Sequence, residues 1–229
     1  MRFASSLIAT LALVATTVLA SSHQDKKPHH PKHEKPIVID KKVFNTGKIP
    51  FHPNTGSALF TNWVGLTLDY KYVKPVFDLV NATASLNNNT ALLSRGEAHI
   101  TVILPPEYDN ILHPAGVTIE ELNKIAVDPK RPLQKARFGV ECLGRVQVVS
   151  KPDNVYQQAV QIILKDFQDI VAYRQKVWEL FVKKGGNPAL FDAGNFLPHI
   201  TLGFKHRDIF VEDGVFKGKN ACIHSLIAK

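Results

Sequence analysis

Residues 196–204 read FLPHITLGF, and one hundred residues upstream 97–105 read EAHITVILP. Each stretch sets His-Ile-Thr inside a short hydrophobic run. Side chains alternate across a strand. His99, Thr101 and Ile103 therefore share one face, opposite Ala98, Ile100, Val102 and Leu104. In the later copy His199, Thr201, Gly203 and Lys205 share one face, opposite Ile200, Leu202 and Phe204. Both strands thus bury an aliphatic face and present a His-Thr pair on the other. A single H-x-T arises by chance in a chain of this size, but two identical copies with matching apolar neighbours point to one composite site.

The rest of the chain orders itself around these strands. Asn62–Leu68 is strand-like, Val73–Leu86 is helical, and Pro105-Pro106 stops the first His-Thr strand. Thr118 and Glu121 form a capping box opening a helix that runs to about Ala126. Arg137–Val149 reads as a strand. From a cap at Asp153, apolar residues from Val160 to Phe181 recur at three- and four-residue steps, which predicts one long helix stopped by Gly185-Gly186. Strands follow at Leu197–Phe204, Ile209–Val211 and Cys222–Ile227. The fold class expected is α+β, with two antiparallel lobes.

At 229 residues the chain suffices for one substantial domain. Its first 20 residues have the basic start, short apolar run and small residues (Val18, Ala20) of a signal peptide, too short for a bilayer span. Residues 21–57 read as a Lys-, His- and Pro-rich disordered lead followed by an extended linker, with the folded domain over 58–229. Removing residues 1–20 lowers the formal charge from +8 to about +7, which favours anionic partners. Sequons at Asn81 and Asn88 suit a secreted, extracellular product. Cys142 and Cys222 are expected to pair in an oxidising compartment.

Two imidazoles facing one pocket are what a phosphodiesterase without a metal needs. One neutral His takes a proton from water, and one protonated His gives a proton to the departing sugar oxygen. The Thr hydroxyls on the same face can hold the phosphate oxygens where charge builds. Lys205 can add a cation, and Trp63 or Tyr108 can stack a base. The histidines lack the helical spacing of zinc proteases, and there is no Gly-rich phosphate loop or G-x-S-x-G elbow.

HITV at 99–102 and PHITL at 198–202 resemble the paired motifs of the two-histidine (2H) phosphoesterase superfamily, which includes cyclic phosphodiesterases and 2′-5′ RNA ligase-like proteins. The early strand, the ECLGRVQV strand and the intervening helices follow the same order over roughly residues 58–229. The resemblance implies a bilobed fold whose lobes, helices outside, each lend one H-x-T strand to a central groove. It also implies cleavage of 2′,3′-cyclic or 2′-5′ phosphodiesters without metal or other cofactor. His99 and His199 would be the acid–base pair and Thr101 and Thr201 the phosphate clamps, with neither histidine assigned as base. The expected partner is a small nucleotide or RNA-end phosphodiester, met by a monomer with no membrane attachment in its mature form. Two rivals remain: a secreted phospho-ligand-binding protein using the same groove, and a metal-binding protein working through His29, His30 and His33.

Overall fold

The structure is a computed structural model that describes residues 35–210 and 213–229. The expected signal peptide and the His-rich lead to Glu34 lie outside the described residues, as do Val211 and Glu212. Seven strands form one curled mixed sheet: β1 (Ile37–Ile39), β2 (Val64–Leu68), β3 (Ala98–Ile103), β4 (Gly139–Ser150), β5 (Val155–Lys165), β6 (His199–Lys205) and β7 (Cys222–Ala228). Their order is β1-β7-β4-β5-β6-β3-β2, antiparallel throughout except for the parallel β1–β7 pair. The helices are α1 (Tyr70–Ala82), α2 (Ala84–Asn87), α3 (Pro105–Glu107), α4 (Ile119–Ala126) and α5 (Gln168–Lys183).

The α+β class holds, whereas the two separate sheets expected of two lobes are replaced by one continuous sheet. The strand that joins the halves is β5, which pairs with β4 on one side and β6 on the other. It sits in the span expected to be a single long helix. Gln157 to Leu164 are buried in succession, so this strand is covered on both faces and lacks the polar alternation that would announce it. The helix begins only after Phe167, and its buried Ile170, Tyr173, Val177 and Phe181 carry the true helical spacing.

Ile209 and Phe210, expected in a strand, lie outside any regular element. At the other end the sheet reaches further upstream than expected. Ile37 and Ile39 of β1 are buried against the core, in residues assigned above to the lead and linker. The capping box forms as expected: the Thr118 hydroxyl accepts from the Glu121 N–H, and the Glu121 carboxylate accepts from the Thr118 N–H.

The main core lies on one sheet face. Leu66, Ile100, Ile162 and Ile200 pack there with Val73, Val76 and Val80 of α1, Leu122 of α4 and Ile170 and Val177 of α5. The other face carries His99 and Thr101 of β3 and the odd-numbered residues of β5, and it positions the site. Ile103, expected on the His99 face, is turned into the core instead, because the β2–β3 register shifts at Val102 and pairs it with Val64. Asn81 and Asn88 stand at the end of α1 and after α2. Asn81 Oδ1 accepts the Leu92 N–H at 2.8 Å, while Asn88 is exposed with φ 53°.

Cys142 and Cys222 form a disulfide, with Cα atoms 5.7 Å apart, that packs with Ile163 on the site face. It ties β4 to β7 over a separation of 80 residues. The Cys142→Ala/Cys222→Ala double variant is expected to lose about 2–4 kcal/mol, lowering the thermal midpoint by roughly 4–16 °C. Calorimetry of oxidised and variant protein checks this. An unchanged midpoint would show that strand pairing alone holds β7.

Candidate active site

The pairing of β3 with β6 brings the two HIT stretches together. Ile100 stands opposite Ile200 in antiparallel register, which sets His99 across from Thr201 and Thr101 across from His199. Directly opposed residues project to one face, so the four polar side chains form one patch, each His beside the other strand's Thr. All four are half-buried. The two rings lie close enough that a charge on His99 disfavours a charge on His199.

The histidines are held differently. His99 Nδ1 lies 2.8 Å and 3.1 Å from the two carboxylate oxygens of Glu97, so this nitrogen is the N–H donor and Nε2 is left for the site. The Trp63 ring packs on the His99 ring at 4.7 Å between centroids. Gly65 makes room for that indole, because a Cβ there would lie 2.5 Å from Trp63 Cζ3. Burial pushes the Glu97 carboxyl towards its neutral form, but the His99 hydrogen bond and charge, with help from Arg95, keep its pKa below the ordinary value.

His199 Nδ1 lies 2.9 Å from the Leu197 carbonyl oxygen, which can only accept, so here too Nδ1 carries the proton and Nε2 is free. Burial, and then the Lys217 ammonium, hold its pKa well below the ordinary 6.5, against the carbonyl bond and the Asp208 charge. At neutral pH His199 is therefore uncharged, with a lone pair on Nε2.

Behind Thr201 lies a buried ion cluster. Asp208 accepts from Lys217 Nζ at 2.9 Å, Arg95 Nη2 at 3.0 Å, the Ile209 N–H at 2.8 Å and, more loosely, the Thr201 hydroxyl at 3.4 Å. Lys217 is 4% exposed and Asp208 8%. Burial lowers the Lys217 pKa despite the Asp208 charge. For Asp208 burial acts the other way, and Lys217, His199 and Arg95 together still hold its pKa low. Gln161 stands opposite Thr201 on β5, fully buried, with neither amide atom hydrogen-bonded among the described residues.

Three side chains expected near the phosphate fall differently. Trp63 reaches the site through His99. Lys205 does not. The β5–β6 register shifts at Leu202, so that Gly203 and Lys205 pair with Val160 and Gln158 instead of continuing the His199 face. Lys205 then lies over the Tyr156 ring at 5.2 Å. A Cβ at Gly203 would meet Phe77 of α1, which confirms that this residue faces the helices. Phe204 turns instead to the site face, beside Ala159 and Ile209. Tyr108 is a core residue, 4% exposed and against His113.

Sequence reasoning missed Arg95, Glu97, Asp208 and Lys217. The first two had a signal in their nearness to His99 in sequence, although β3 starts only at Ala98 and Gly96 has φ 72°, so strand alternation does not place them. Asp208 and Lys217 had none, because the fold alone brings them beneath Thr201. Among the described residues no three His, Cys, Asp or Glu side chains gather as a metal site, and no helix is long and apolar enough to cross a membrane.

Two imidazoles, two hydroxyls and, beside them, the cations Arg95 and Lys217 make up a site suited to phosphoester chemistry. The family model described as Swiss Army Knife, 2H phosphoesterase domain matches residues 62–210, and the chain belongs to this 2H phosphoesterase family. Both HIT strands, Arg95, Glu97 and Asp208 fall inside the matched span, and Lys217 lies just beyond it. No curated protein and no solved structure gave a match.

Proposed function

We propose that this protein is a secreted cyclic phosphodiesterase that opens 2′,3′-cyclic phosphates, on a nucleotide or an RNA end, to monoesters. The observation that carries the reading is the unequal support of the two rings. His199, uncharged beside Lys217 and bonded to a carbonyl, is the base; His99, bonded to a carboxylate, is the acid. His199 Nε2 takes a proton from water as its oxygen attacks phosphorus. The bond from phosphorus to one ribose oxygen breaks, and His99 Nε2 gives its proton to that oxygen. Thr101 donates to a non-bridging oxygen, and Thr201 does so by turning its one hydroxyl proton from Asp208 to the phosphate. The Cys142–Cys222 bond suits an oxidising compartment, in line with the expected signal peptide.

A panel of 2′,3′-cyclic nucleotides, 2′-5′ dinucleotides and ADP-ribose cyclic phosphate, assayed with and without EDTA, tests this. The expected result is turnover of the cyclic nucleotides, undiminished by EDTA. Calorimetric binding of a cyclic nucleotide with no turnover anywhere in the panel would replace the enzyme with a phospho-ligand-binding protein. Activity lost in EDTA and restored by a divalent cation would overturn the metal-independent mechanism.

A further inference from the structure

Two arginines of this fold are used in opposite ways. Arg174 of α5 is fully buried and commits all five of its N–H donors to protein oxygens. Arg95 stands in the loop entering β3, its side chain 33% exposed, and among the described residues it makes one hydrogen bond, Nη2 to Asp208. A guanidinium so placed keeps four donors uncommitted. The guanidinium carbon also lies 5.6 Å from the Phe204 ring centroid, on the site face.

Charge points the same way. Among the described residues Asp208 is the one carboxylate bonded to Arg95, and it is also bonded to Lys217 and to the Ile209 N–H. Asp208 divides its single negative charge between two cations and so neutralises neither fully. Glu97, whose carboxylate also feels Arg95, is engaged with His99, so positive charge is left at the pair. Lys217 is buried and cannot present that charge to a ligand, whereas Arg95 can. Arg95 Nη2 and the Thr201 hydroxyl meet at the same Asp208 oxygen, so the free part of the fork borders the His-Thr patch. Planar and partly desolvated, it has the form in which arginine holds phosphate bidentately.

We propose that Arg95 is a substrate-binding residue whose free N–H donors hold non-bridging oxygens of the phosphate between the two HIT strands. The identity of the substrate rests on the cyclic phosphodiesterase reading above, whereas the phosphate contact itself does not. An arginine serving only to pair with Asp208 would contribute to folding and leave phosphate affinity unchanged.

The test uses the full chain carrying His99→Ala and His199→Ala, which binds without turnover, titrated calorimetrically with inorganic phosphate and with a nucleoside 3′-monophosphate. Adding Arg95→Met is expected to weaken both ligands roughly 10- to 100-fold. Adding Arg95→Lys, which keeps the charge and loses the fork, should weaken them less. If Arg95→Met fails to fold, Arg95→Gln takes its place, since its amide can still donate to Asp208, with the same loss expected. Equal phosphate affinity with and without the Arg95 side chain overturns the proposal. Loss of phosphate affinity, combined with no turnover of any cyclic phosphate by the native chain, would leave the Arg95 contact standing and remove the cyclic phosphodiesterase reading.

Discussion

His199→Ala is expected to lower kcat for cyclic-phosphate opening by about 10²- to 10⁴-fold, the usual contribution of a general base. His99→Ala should cost a similar factor by removing the acid. Because the two act in one proton-transfer event, the double variant should be little worse than either single one. The pH profile separates the roles. A base works only when neutral, and burial and Lys217 keep His199 neutral well below pH 6.5. The acid limb of kcat/KM should therefore lie below the ordinary imidazole value.

The same depression carries a stability signature of opposite sign to that of a salt-bridged histidine. Between the lowered folded-state value and 6.5 the unfolded chain takes up a proton that the folded chain refuses. Stability should fall as pH drops through that window, and His199→Gln should flatten the fall. Stopped assays of both variants, with thermal midpoints measured from pH 4 to 8, check these expectations. Full turnover by either alanine variant would sink the mechanism, and an acid limb above 6.5 would reverse the assignment of base and acid.

Alternation along a strand was enough to place His99 with Thr101 and His199 with Thr201, since each pair precedes any irregularity in its strand. It failed at the very next residue of each strand: at Val102, where the register shift carries Ile103 to the core face, and at Leu202, where it turns Lys205 away and Phe204 inward. A bulge adds one residue to one strand, and only the partner's register reveals it. The helix read through β5 failed for another reason. Val160 and Ile163 fit a helical step only because a strand covered on both faces puts apolar residues at odd and even positions alike. Reading that strand as a helix also removed the link between the sheet's halves, and the expectation of two lobes followed. Glu97 and Arg95 at least stand close to His99 in sequence, although alternation does not reach them across Gly96, whereas nothing local ties Asp208 and Lys217 to a site around residue 201. Their placement depends on how the chain after β6 folds back over the sheet.

Arg174→Met is expected to destabilise the protein by about 3–5 kcal/mol, the cost of breaking a buried ion pair from one side. The Arg174 side chain is 0% exposed and lies between Phe191 and Phe196, with its guanidinium carbon 4.8 Å from each ring centroid. It donates to both carboxylate oxygens of Glu107, at 2.8 Å and 3.0 Å, and to the carbonyls of Val102, Asp192 and Ala193. Methionine fills part of the space but leaves a carboxylate and three carbonyls without their donor. The thermal midpoint should fall by roughly 6–20 °C. The damage should also reach the site. Val102 follows Thr101 on β3, and residues 192–196 form the approach to His199, so one guanidinium fixes the chain beside both HIT strands. Turnover measured well below the midpoint should fall too. Replacing Glu107 as well, as Arg174→Met/Glu107→Met, removes the stranded carboxylate and should recover part of the stability. If Arg174→Met alone unfolds within 1 kcal/mol of the native protein in a denaturant titration, Arg174 is not what holds α5 to α3 and β3, and the fold rests on the surrounding apolar packing.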